Sequence, residues 1–168
     1  MPCGSSHHCC VALAHHFFRY AGTANLALAS DLAAAADVTI VSVATTSSEG
    51  SDRGTLSLGE AQDSLVAAAA AAARGPVVVV VNAPGAVLMP WSKDVDAILL
   101  NFMPGEQGGS GQADVLWGDV NPAARLPVTL PNADNEVGFT EEQYPGVGEG
   151  PVVSYSEGLL VGYRWCVW

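Results

Sequence analysis

Five consecutive valines, Val77 to Val81, constrain this chain more than any other feature. β-Branched side chains lose rotamer freedom in a helix and pack well on a pleated surface. A run without polar alternation needs cover on both faces, the situation of a strand inside a parallel sheet. Gly75-Pro76 before it and Pro84-Gly85 after it punctuate the strand. The preceding segment has the opposite character. Gly59 to Arg74 contains seven consecutive alanines, Ala67 to Ala73, and reads as a helix. Glu60 in its first turn and Arg74 in its last complement the helix dipole, and Gly75-Pro76 stops it.

Other elements follow the same logic. Leu26 to Ala36 is rich in Ala and Leu and reads as a helix that Asp37 ends. Val38 to Ala44 reads as a buried strand, and Asp96 to Asn101 as a third. Pro90-Trp91 opens a short helical turn. A Gly-rich loop, Pro104 to Gly111, leads into a short helix through Ala113, Val115 and Leu116, ended by Gly118-Asp119. Leu126 to Leu130 reads as a fourth strand, at a sheet edge because Pro127 cannot donate. Residues 131–151 form a long acidic surface loop, and Tyr155 to Trp168 a closing strand or packing segment. Residues 1–25 show no period and are expected to be an irregular N-terminal segment. Residues 26–168 then form one α/β domain, a mostly parallel sheet with helices on both faces. The strands at 38–44, 77–82 and 96–101 should be adjacent, parallel and central. Ligands of such sheets gather beyond the carboxyl ends of the strands. Three loops leave those ends, Thr45–Thr55, Asn82–Met89 and Phe102–Gly111.

Charge and composition exclude several function classes. Six Lys and Arg face seventeen Asp and Glu, a formal net charge of −11. Nucleic-acid binding needs a basic footprint, and none is visible. An anionic membrane surface would repel the chain. The longest apolar run, Leu65 to Ala73, falls far short of the ~20 residues of a membrane span. The N-terminal apolar stretch is broken by His7, His8, His15 and His16 and lacks a basic start, so it is no clean signal peptide. Localisation is not legible. Cysteines at 3, 9, 10 and 166 are too few for a disulfide scaffold. His7, His8, Cys9 and Cys10 match no zinc spacing, and an irregular terminus is the simpler reading. No metal or other cofactor is implied. A nucleotide-binding domain would carry G-x-G-x-x-G after its first strand or a G-K-[ST] loop, and neither occurs. A neutral or cationic small-molecule partner fits best.

The first of the three loops reads Thr45-Thr46-Ser47-Ser48-Glu49-Gly50-Ser51-Asp52-Arg53. Gly50 allows a sharp bend after Glu49. A Glu on a loop tip over a pocket can act as a general acid when burial raises its pKa. Asp52 and Arg53 can stiffen the loop by pairing locally. The same composition also describes a solvated acidic loop, and loop chemistry alone does not choose between these.

A set of ordered motifs does. Ser48-Glu49-Gly50-Ser51-Asp52-Arg53 resembles the S-G-E-G-x-D-R loop of family 3 glycoside hydrolases (the β-glucosidase type). Leu56-Ser57-Leu58 with Gln62 is similar to that family's L-x-L-P-x-x-Q. Asn82 to Val87 with Met89-Pro90-Trp91 resembles N-x-x-G-x-V-x-x-P-W. Pro104 to Gly109 resembles P-G-x-x-G-G, and Ala113 to Pro122 resembles A-D-V-L-x-G-D-x-N-P. Leu126-Pro127-Val128-Thr129, Tyr155-Ser156-Glu157-Gly158 and Gly162-Tyr163-Arg164-Trp165 are similar to L-P-V-T, Y-x-E-G and G-Y-R-W.

The resemblance implies the second, α/β domain of such an enzyme, which packs beside a (β/α)-barrel. The barrel supplies an Asp nucleophile and this domain the acid/base Glu, matched here by Glu49. Retention of configuration needs the two carboxyl groups about 5–5.5 Å apart. The implied substrate is a terminal β-linked glucoside or xyloside. The barrel and its nucleophile motif lie outside this sequence, so the isolated chain is expected to be inactive. The strand the family places before the Leu26–Ala36 helix is not recognisable in residues 1–25. The alternative is a non-catalytic, carbohydrate-binding or structural remnant.

Other motif residues have plainer readings. Glu106 is a second acid or simply a residue of a tight Gly-rich turn. Trp91, Trp117 and Trp165 stack on sugar rings or pack in the core. Asp114 and Asp119 cap or solvate the short helix.

Overall fold

The computed structural model describes residues 9–14, 17–22 and 25–167. In chain order they form β1 (Cys9–Ala14), β2 (Phe17–Gly22), α1 (Leu26–Ala35), β3 (Val38–Ala44), α2 (Glu60–Ala72), β4 (Val77–Asn82), β5 (Ala97–Asn101) and α3 (Gly108–Trp117). The strands make one sheet in the order β2-β1-β3-β4-β5. β3, β4 and β5 are adjacent and parallel as expected, with Thr39 opposite Val77 and Val78 opposite Ala97. β5 is the described edge of the sheet rather than a central strand.

The segment expected to be irregular instead carries a hairpin. β1 pairs antiparallel with both β2 and β3, with Cys10 opposite Val41. Two reversals leave β2 parallel to β3, so a strand does precede α1, contrary to expectation. The pairing gives the free edge of β3 hydrogen-bond partners, which an open strand edge otherwise lacks. His7 and His8 lie outside the described residues, so a metal at His7, His8, Cys9 and Cys10 is not addressed.

Burial alternates along β3, and β4 is buried at Val77 and from Val79 to Val81. Val41 and Val43 of β3 and Val77, Val79 and Val81 of β4 turn to one face. There they are buried with Ala29, Leu32 and Ala33 of α1 and Leu65, Val66 and Ala69 of α2. Small alanines let α1 and α2 lie against each other and the sheet. Each fully buried Leu or Val contributes about 1.5–3 kcal/mol. The opposite face is half-buried at Ile40, Val78 and Leu99 and buried at Val80. α3 approaches on that side, where its Gln112 Nε2 donates to Asn82 Oδ1 at 2.8 Å.

The helix ends are set locally. Asn25 Oδ1 accepts from Leu28 N at 2.9 Å and caps α1. Asn25→Ala should lower stability by about 1 kcal/mol, read as a shifted urea midpoint at unchanged slope. Arg74 does not sit in the last turn of α2. It lies past the cap residue Ala73 and pairs with Asp37, the residue after the α1 cap Ala36. Both side chains are more than half exposed, so this pair contributes little. Gly75 follows because a Cβ there would collide with the Asp37 carbonyl oxygen. Gly118, at φ 84, ends α3 in the left-handed conformation.

Leu126 to Leu130 is not a strand; the segment is irregular and mostly exposed. Pro127 removes a donor from that stretch, and it pairs with neither edge of the described sheet. The closing segment ends in a 3-10 turn, Gly162–Val167, rather than a strand.

Candidate active-site edge

Parallel β3, β4 and β5 bring all three predicted loops to one edge, and side chains tie the loops together. Arg53 Nη2 donates to the carbonyl oxygen of Ala86 at 2.7 Å, joining the first loop to the second. Leu88 N donates to Leu56 O at 3.0 Å alongside it. The Gln112–Asn82 bond anchors the helix that follows the third loop to the end of β4. A cleft of about 270 Å³ opens among the loop bases, walled by Thr45, Ser47, Asn82, Pro84, Phe102 and Met103.

Glu49 stands at the tip of the first loop. Ser48 and Ser51 form an isolated bridge, with Ser51 N donating to Ser48 O at 3.2 Å. Glu49 and Gly50 are the two residues between them, and Gly50 takes φ 73, which a glycine adopts without strain. Glu49 is exposed, and among the described residues no group bonds to its carboxylate. It is outside the walls of the small cleft and projects from the edge.

Asp52 and Arg53 do not pair. Asp52 is exposed, while Arg53 is half-buried and reaches across to the Ala86 carbonyl. Its Nη1 is buried without a hydrogen-bond partner. Among the described residues the single ion pair is Arg74–Asp37. Glu106 is exposed in the turn before α3. There Gly105 has φ 70, and Gly108 is required because a Cβ would meet Pro104 Cγ at 2.8 Å. β3 and β5 are separated by β4, so the roots of the Glu49 and Glu106 loops lie about 10 Å apart, two strand spacings.

Gln62 holds the base of the first loop, a role its place in a motif does not reveal. Its Oε1 accepts from Ala44 N at 2.8 Å, and its Nε2 donates to Ala44 O at 3.0 Å and to Leu58 O at 2.6 Å. One buried amide thus fixes both the start of the loop, at the end of β3, and its finish, before α2. Of the tryptophans, Trp91 packs in the core at 3% exposure and donates Nε1 to Asp63 Oδ1 at 2.9 Å. Trp117 and Trp165 are exposed instead. Asp114 and Asp119 face solvent.

The family model described as "Glycosyl hydrolase family 3 C-terminal domain" matches residues 9–163. The chain belongs to glycosyl hydrolase family 3. A β-glucosidase of Rhizobium radiobacter is 38% identical over 148 residues, covering 85% of this chain but 18% of its own length. A β-glucosidase of Schizophyllum commune is 36% identical over 149 residues, with 82% of this chain and 77% of that sequence aligned. Among solved structures, a β-glucosidase from Streptomyces venezuelae in complex with D-glucose superposes with a TM-score of 0.75 at 36% identity. That match covers 88% of this chain and 19% of the solved one. The chain therefore spans about a fifth of the long family 3 relatives it matches, and those relatives carry a large region that has no counterpart here.

Proposed function

We propose that this family 3 domain supplies the general acid/base, Glu49, for retaining hydrolysis of terminal β-linked glucosides or xylosides. The observation that carries the reading is the placement of Glu49 at an exposed tip, on a loop clamped by Gln62 and tethered by Arg53. An acid/base that must reach a sugar held by another domain needs that combination of projection and fixed base. The ordered motifs and the β-glucosidase relatives support that substrate class. Asp52, Arg53 and Glu106 support the loop edge rather than perform the chemistry. Arg53 does so through the Ala86 carbonyl.

Retention requires a second carboxyl group about 5–5.5 Å from the first. The Glu106 loop is rooted about 10 Å from the Glu49 loop, two strand spacings away. The nucleophile is assigned to a (β/α)-barrel, within the region of the long relatives that this chain lacks. The isolated chain should accordingly hydrolyse an aryl β-glucoside no faster than buffer, measured as released phenol over hours. Turnover well above buffer that disappears in Glu49→Gln would overturn this. It would place the nucleophile within the chain, with Asp52 and Glu106 as the residues to substitute next. A barrel-joined protein in which Glu49→Ala leaves the rate intact would favour the non-catalytic remnant instead.

A further inference from the structure

Buried polar groups in a folded chain are paired with few exceptions, and each exception needs a cause. Among the described residues, two buried side-chain atoms lack a hydrogen-bond partner, Arg53 Nη1 and Asn101 Nδ2. Other buried side chains of this domain are satisfied. Gln62 makes three bonds, and the Trp91 indole N–H reaches Asp63. Both exceptions are donors. Both also lie on the edge that carries Glu49. Arg53 follows β3 in the first loop, and Asn101 is the last residue of β5, at the root of the third.

Neither orphan has a local cause. Arg53 has Asp52 beside it in sequence, yet the single ion pair among the described residues is Arg74–Asp37. Its one partner is the Ala86 carbonyl. A half-buried guanidinium without a carboxylate is unfavourable, because its charge has lost water and gained only one neutral oxygen. Asn101 is placed by its backbone, which pairs with Asn82 and accepts from Ala83 N at 3.0 Å. The ladder needs no amide side chain there, since Leu99 and Leu100 fill the two preceding positions. Both residues are half-buried, so the orphan donors belong to the surface layer. The terminal torsion of an Asn is broad, and its amide turns to an incoming acceptor without backbone change.

We infer that Arg53 and Asn101 are docking donors. They take oxygen acceptors from the region that the long relatives carry and this chain lacks, a carboxylate at Arg53 and a carbonyl or carboxylate at Asn101. They act as positioning residues and touch no substrate. Their role rests on the reading of Glu49 as the acid/base for a sugar held by that region. It extends that reading to the contacts that keep the acid in register. The chain matches the family model over residues 9–163 and spans about a fifth of those relatives, so the same edge recurs beside a much larger partner. Glu49 projects from this edge with no group bonded to its carboxylate, and acid and orphan donors thus face one way out of the sheet.

Two forms of the protein test this, the full chain alone and the full chain joined to the barrel of a long relative. In the chain alone, Asn101→Leu removes an orphan donor at nearly constant volume and should leave the urea midpoint unchanged or raise it. A side chain kept for the fold of this domain would lower it. In the joined protein, docking should slow amide exchange in β4, Val77–Asn82, relative to the chain alone. Asn101→Leu should remove about tenfold of that slowing. Arg53→Lys keeps the charge and one donor but loses the second, and should remove about tenfold as well. Leu159→Ala, at an exposed residue outside the three loops, should alter neither measurement. Exchange reads docking, whereas the leaving-group dependence of turnover reads Glu49, so the two roles fail separately. Asn101→Leu lowering the midpoint of the chain alone, or failing to fold, overturns the docking role of Asn101. Slowing that survives both substitutions overturns the whole proposal. So does a concentration-dependent dimer of the chain alone that both substitutions dissolve, since the acceptors would then come from a second copy.

Discussion

With this chain joined to a matching family 3 barrel, Glu49→Ala is expected to slow hydrolysis of substrates with poor leaving groups by about 10²–10⁴-fold. The departing alkoxide of an alkyl glycoside needs a proton as the bond breaks, and Glu49 is the group assigned to deliver it. An aryl glycoside with an acidic phenol needs little protonation, so its first step should lose far less. Hydrolysis of the glycosyl-enzyme then limits turnover, because the base that activates water is gone. Azide attacks without base assistance and should restore the rate, yielding a glycosyl azide of retained configuration. Asp52→Ala should behave differently. The Asp52 carboxylate pairs with neither the Arg53 side chain nor Glu49, and any effect should fall equally on all substrates. Steady-state kinetics over a series of leaving-group pKa values, with and without azide, separates the two. Equal loss across the series with no azide rescue would make Glu49 structural and move the acid elsewhere, with Glu106 next in line.

The parallel half of the sheet was legible because its signal is local. Five valines leave few conformations other than a strand, and the flanking Gly-Pro pairs mark its ends. The hairpin at 9–22 was not legible, since what secures it is a long-range pairing of β1 with β3 and no turn motif announces it. Leu126 to Leu130 failed in the opposite sense. Its composition suits a strand, but Pro127 and the lack of a paired edge leave it irregular. The motif loop showed where Glu49 would be, because Gly50 and the flanking serines specify a tight turn. It could not show where Arg53 would go. A neighbour in sequence, Asp52, was the economical guess, while the actual acceptor is a backbone carbonyl 33 residues away. Side-chain reach across loops is a tertiary property, and no local pattern encodes it.

Gln62 gives that tertiary property its sharpest test. The side chain is buried at 8% exposure and behaves as an extra peptide group between β3 and α2. It accepts one hydrogen bond from Ala44 and donates to the carbonyls of Ala44 and Leu58. Each bond contributes about 1 kcal/mol net, and a buried partner left unsatisfied costs more. Gln62→Leu nearly conserves volume, so packing is kept while all three bonds are lost. Stability should fall by about 3 kcal/mol, seen as a lower urea midpoint at unchanged slope. The loss should also be local. Ala44 and Leu58 bracket the loop that carries Glu49, so amide exchange across 45–58 should quicken before that of β4. Gln62→Glu keeps an acceptor but, ionised, has no donor for the two carbonyls, and should not restore stability at neutral pH. In the barrel-joined protein, Gln62→Leu should then depress turnover for aryl and alkyl substrates alike, because it blurs where Glu49 stands rather than removing its proton. A change smaller than about 0.5 kcal/mol, with exchange across 45–58 unaltered, would mean the amide merely fills space.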